Sequence, residues 1–153
     1  METIEKLNSG DYVKINLFGK EQKVEIFSTG DNRFDENGDY KENGFALTYE
    51  EITLFNWFIE NIKIEDYKQE IIQYCNEQYE AIGDKRIEEA DIENEISIFA
   101  IAVNISEITQ SKSGFVYPEI SFLGDCKCDP EHGICIGFRD KKFLGVNSQD
   151  WTL

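Results

Sequence analysis

Four side chains able to bind soft cations or act as nucleophiles crowd into ten residues: Cys126, Cys128, His132 and Cys135, in the pattern Cys-x-Cys-x3-His-x2-Cys. Their number and types suit a zinc ion. A thiol near the chain's single histidine, with Glu131 beside it, also suits nucleophilic or acid–base catalysis. The spacing works against both readings. Ile120, Phe122, Gly124, Cys126 and Cys128 fall on alternate positions, as do Ile134, Ile136 and Phe138, the period-two pattern of half-buried strands. Between them, Asp129-Pro130-Glu131-His132-Gly133 has the chemistry of a turn: an Asp that accepts nearby amides, a Pro that presets φ and a Gly that takes the left-handed conformation. A hairpin in which Cys128 faces Ile134 and Cys126 faces Ile136 puts these two cysteines on the apolar face and Cys135 on the other. Without a bulge, three sulfurs so arranged do not converge on one ion. The residues therefore predict reduced core cysteines, a polar turn histidine, no metal and no cofactor. The alternative is zinc on Cys126, Cys128, His132 and Cys135, or a metal-dependent or Cys/His enzyme at this turn. A single histidine excludes mechanisms that need two, and the chain has no glycine-rich phosphate loop, Gly-x-Ser-x-Gly or His-Glu-x-x-His.

The elements that must position this turn are legible in outline. Residues 11–28 alternate as a first hairpin, with Val13, Ile15 and Leu17 on one face, Val24 and Ile26 on the facing strand, and a loop at Gly19-Lys20-Glu21-Gln22. Ser28 to Gly44 is rich in Gly, Asn and Asp and leaves room for a small hairpin around Phe34 and Tyr40. Read as a calcium loop this stretch fails: from Asp31 the third position is Arg33 and the sixth Glu36, and from Arg33 the sixth is Gly38 but the first ligand is a cation. Thr48-Tyr49-Glu50-Glu51 is a capping box that starts a helix. Ile52, Phe55, Phe58, Ile59 and Ile62, then Ile64, Tyr67, Ile71, Tyr74, Cys75 and Ile82, form an apolar stripe as far as Gly83, either one helix bent near Lys63 or two. Ser97 to Ile105 is an apolar, β-branched run that reads as a central strand. Ser111-Lys112-Ser113-Gly114 reads as a turn into the strand before Cys128. Asp140-Lys141-Lys142 is a further turn before a last strand at Phe143–Val146. The fold class this predicts is α+β: an N-terminal β-hairpin, an acidic helical middle and a C-terminal antiparallel β-meander, in a single domain covering 1–153.

Charge is the strongest compositional signal. The 153 residues carry 31 Asp and Glu against 15 Lys and Arg, a net −16, which disfavours nucleic acid and anionic membranes and favours a cationic partner. The excess is concentrated: residues 45–95 hold 14 acids and 4 bases, net −10, against −4 before them and −2 after. The expected partner-binding face is made of Glu65, Glu70, Glu77, Glu80, Glu88, Glu89, Asp91, Glu93 and Glu95. A chain of this size buries roughly 70% of its unfolded surface. No run reaches the roughly 18 apolar residues of a membrane span, and no secretory signal opens the sequence, so a cytoplasmic protein is expected.

Tyr117-Pro118-Glu119-Ile120-Ser121-Phe122, the run Cys126 to Ile136, the basic turn, Gly145 and Gln149-Asp150 together resemble the C-terminal signature of a bacterial domain family of unassigned function. In that family an extended strand leads into a Cys-x-Trp-Asp-x-Glu-His-Gly-x-Gly turn after an upstream helical segment. Asp129, Glu131, His132 and Gly133 match; Cys128 stands where a Trp is usual and Cys135 where a small residue, often Gly, is usual. The likeness is tight over about 35 residues and looser over 49–82. Members are often encoded beside secreted toxin genes, which implies immunity proteins. The combined expectation is a non-catalytic, acidic binding protein of the cytoplasm that neutralises a basic toxin.

Overall fold

The structure, a computed structural model, describes residues 3–42, 44–84, 86–105 and 116–152. β1 (Tyr12–Leu17) and β2 (Lys20–Ser28) pair antiparallel with Val13 opposite Val24. Their turn is tighter than the loop expected at Gly19–Gln22. It consists of Phe18 and Gly19 alone, both at positive φ (53° and 78°). A non-glycine residue in that region is uncommon, and here a tertiary contact holds it: the Phe18 amide donates to Glu65 Oε1 at 2.6 Å.

After β2, a bridge between Phe34 and Tyr40 is what the Gly/Asn-rich stretch makes of its second hairpin. The capping box then forms as the sequence dictates, with Glu51 N donating to Thr48 Oγ1 (3.1 Å) and Thr48 N to Glu51 Oε1 (2.8 Å). It launches α1 (Tyr49–Asn61). Ile62 and Lys63 are extended, a 3-10 turn covers Ile64–Tyr67, and α2 runs Lys68–Ala81, so the apolar stripe is two helices. A 3-10 turn at Glu89–Asp91 leads into the four-residue α3 (Ile92–Glu95). No helix among the described residues is long and apolar enough to cross a membrane.

β3 (Ile96–Val103), β4 (Ile120–Cys126), β5 (Ile134–Arg139) and β6 (Lys142–Asn147) make the antiparallel meander. The last turn, Asp140-Lys141, has both residues at positive φ (52° and 62°), the two-residue geometry that matches strand twist. The feature that the local patterns did not predict is the parallel pairing of β2 with β3, Glu25 opposite Ala100 through Ser28 opposite Val103. A parallel pair needs a long crossover, and α1 to α3 provide it. Hairpin and meander therefore belong to one six-stranded sheet in the order β1-β2-β3-β4-β5-β6.

The helices cover one face of that sheet. Phe55, Phe58, Ile71 and Cys75 are fully buried; Phe58 packs on Phe122 and Phe138 at ring separations of 5.0 and 5.1 Å, and Tyr67 stacks on Phe143 at 4.8 Å. The other face carries a smaller cluster of Ala100, Ala102, Leu123 and Cys135, with Phe27 and Trp151 against it. The segment 111–114, expected as a turn, lies outside the described residues.

Candidate functional site

The hairpin at 126–135 has a different register from the one its alternation predicts. Ile134 faces Gly124, not Cys128, and Ile136 faces Phe122. β4 leaves β5 at Gly124 but stays paired with β3 as far as Cys126, which faces Ile96. The loop then closes on itself through Asp129 N to Cys126 O (3.3 Å) and Gly133 N to Asp129 O (3.0 Å), with Gly133 left-handed at φ 66°. Gln149 fills the gap: its Nε2 donates to Gly124 O at 2.6 Å and its backbone amide to His132 O at 3.1 Å. The slip is four residues, an even number, so every side chain keeps its predicted face. Cys126 and Cys128 join the helix-covered core and Cys135 the opposite cluster. The quartet Cys126, Cys128, His132 and Cys135 is thus divided between the two faces of the sheet and an exposed turn, and does not form a metal site.

The quartet does not make a nucleophile–base pair either. All four cysteines of the chain are buried and free. The hydrogen bond that Cys126 donates to Cys128, then burial, push the Cys126 thiol up. At Cys128 the contact with Cys126 acts downward, but Cys75 and burial outweigh it and leave the thiol at about 12. Burial carries Cys135 to about 12 against the downward effect of a hydrogen bond with Ser121. Such thiols are protonated and unreactive near neutrality. His132 is exposed, with Nδ1 3.1 and 3.2 Å from the Asp129 carboxylate oxygens, a contact that raises its pKa. Glu131 is exposed beside it.

The acidic residues assemble more closely than their spacing implies. Asn76 clamps the backbone of Ile87, donating to its carbonyl (3.1 Å) and accepting from its amide (2.7 Å). Gln69 Nε2 donates to Glu89 Oε1 at 2.6 Å. These contacts hold Ile87 and Glu89 against α2, and Glu70, Glu77 and Glu80 of the helix and Glu88, Glu89, Asp91 and Glu93 of the segment are each exposed. Counter-charge among the described residues is sparse: Arg86 to Glu80 at 3.5 Å and Lys20 to Glu93 at 3.9 Å.

Two of the nine expected face residues do other work. Glu65 is half-buried and accepts the Phe18 amide. Glu95 is only 5% exposed, and both its carboxylate oxygens accept from the Tyr79 hydroxyl, at 2.7 and 2.8 Å. Read as an extension of β3, Glu95 falls on the face opposite Ile96 and Ile98. It is buried because α3 runs through it and the strand begins only at Ile96, which breaks the alternation.

Glu95 also belongs to a constellation that the sequence did not reveal. Cys75, Glu95 and Cys128, all buried, bring one ligand atom each to within 4.8 Å of one another. They lie 20 and 33 residues apart, spacings that match no local motif. The only hint was Cys75 in the apolar stripe of its helix.

The chain matches the family described as Domain of unknown function (DUF6985) over residues 2–153. It belongs to that family. The match spans the whole of the sheet and its helices, in keeping with the expectation of a family of unassigned function. No curated protein and no solved structure matches the chain.

Proposed function

We propose that this domain is a non-catalytic binding protein that presents the joined acidic surface of α2 and residues 88–93 to a cationic protein, in an immunity-like role against a basic toxin in the cytoplasm. The observation that carries the reading is the Gln69–Glu89 contact together with the Asn76 clamp on Ile87, which pools two acidic stretches into one field. Such a field speeds encounter with a partner of opposite charge and sets its orientation. The resemblance of the Asp129–Gly133 turn to a family encoded beside toxin genes supplies the kind of partner. The buried, protonated thiols and the exposed His132 tied to Asp129 weigh against catalysis at the turn.

The test is a pull-down with the product of the neighbouring gene, followed by association kinetics. Glu77→Lys with Glu93→Lys, one change on each element, slows association, and binding weakens as salt shortens the Debye length from about 10 Å at 0.1 M to about 3 Å at 1 M. A partner whose affinity ignores both changes is recognised elsewhere on the surface, and the reading fails.

A further inference from the structure

Three separate elements deliver Cys75, Glu95 and Cys128 to one point in the interior: α2, the last residue of α3 and the loop after β4. We propose that these three side chains form a binding site for a thiophilic divalent cation, with zinc the best match.

The donor set is the first argument. Two sulfurs and a carboxylate oxygen select against magnesium and calcium, which take oxygen ligands, and suit zinc. Tetrahedral zinc with Zn–S bonds of about 2.3 Å separates two sulfurs by about 3.8 Å. Donor atoms already within 4.8 Å of one another therefore need only small side-chain adjustments to close on an ion.

Charge is the second. Glu95 is buried, its carboxylate shares one neutral donor, Tyr79, between two oxygens, and no cationic side chain pairs with it among the described residues. A buried carboxylate without a cation is costly, and a divalent ion at this point supplies what is missing. On binding, the Cys75 and Cys128 thiols release their protons to solvent. Two thiolates and one carboxylate then face the 2+ ion, leaving one net negative charge, while Tyr79 stays as the outer donor that orients the carboxylate.

Access is the third. A cleft bordered by Asn94, Glu95, Cys126, Lys127 and Pro130 reaches Glu95, the one proposed ligand among its lining residues. Cys126, whose Sγ donates to the Asp129 carbonyl at 3.6 Å, and His132, whose ring holds Asp129, are not among the donor atoms that converge within 4.8 Å. The site thus keeps one member, Cys128, of the quartet that the local sequence suggested.

The experiment uses the full chain, reduced and stripped with chelator, titrated with Co2+. Expected are one equivalent bound and a near-ultraviolet sulfur-to-cobalt charge-transfer band of two-thiolate intensity, displaced by Zn2+, with zinc also raising the melting temperature. Cys75→Ser and Cys128→Ser each halve the band and weaken binding more than tenfold, as first-sphere losses exceed the roughly 10- to 100-fold effect of outer-shell ones. Cys135→Ser and His132→Ala leave it unchanged. Because a buried Cys→Ser change can weaken the fold itself, Tyr79→Phe provides a second readout: all three ligands remain, and affinity falls by about 10- to 100-fold. A wild-type chain with no charge-transfer band, a Cys75→Ser variant that binds as tightly as wild type, or loss of the band in Cys135→Ser or His132→Ala overturns the proposal.

Discussion

The phenolic hydroxyl of Tyr79 stands 2.7 and 2.8 Å from the two carboxylate oxygens of Glu95, joining α2 to the end of α3 inside the core. Burial first, then the Glu95 carboxylate, push the Tyr79 pKa up, so the hydroxyl remains a donor. In chelator-treated protein, Tyr79→Phe leaves that carboxylate without its donor and costs about 1–3 kcal/mol in urea unfolding. In a Glu95→Gln background the same change costs less, because no buried charge is then orphaned.

Gly133 is left-handed, and a Cβ built there meets Gly124 O at 2.6 Å as well as the Gln149 side chain. Gly38 is left-handed too, at φ 82°, but faces open space. Gly38→Ala should therefore cost about 1 kcal/mol from backbone strain alone, and Gly133→Ala a further 1–3 kcal/mol or so from the clash. His132→Ala, at an exposed position, changes little. Thermal melts of the three variants give the order.

Glu51 is 1% exposed and each of its oxygens is engaged: Oε1 accepts from Thr48 N (2.8 Å) and Asn32 Nδ2 (2.9 Å), and Oε2 from Ser28 Oγ (2.5 Å). One side chain thus caps α1 and ties it to the end of β2 and to the loop beyond. Glu51→Ala removes the cap and leaves buried donors unmatched, at a cost of about 2–4 kcal/mol; denaturant midpoints should show Glu51→Gln to be milder.

The Asp129 hydrogen bond and charge raise the His132 pKa above its usual 6.5. A folded-state value above the unfolded one means that the contact stabilises the turn fully below the unfolded pKa, and that the contribution is lost as pH rises through the folded pKa. An NMR titration of the ring protons should place the midpoint above 6.5, and Asp129→Asn should bring it back down.

Surface acids outside these contacts should be replaceable. Glu77→Lys with Glu93→Lys, the pair that slows partner association, should leave unfolding free energy within about 0.5 kcal/mol per site, measured on the free protein.

What the sequence alone determined are the features that depend on neighbours along the chain. Thr48 and Glu51 are three residues apart, so the capping box and the start of α1 follow from local chemistry, and strand alternation put Cys126 and Cys128 on one face and Cys135 on the other in any register that differs by an even number. The hairpin, acidic helical middle and meander of the α+β fold were legible for the same reason. Tertiary structure decided everything that rests on long-range contact. Gln149, 25 residues from Gly124, caps the carbonyl at which β5 stops pairing with β4, a long-range contact that accompanies the four-residue difference in register. The parallel pairing of β2 with β3 depends on packing of the helices between them, which no period in either strand encodes. Burial of Glu95 depends on where α3 ends, and its meeting with Cys75 and Cys128 on three chain crossings that only the packed core brings together.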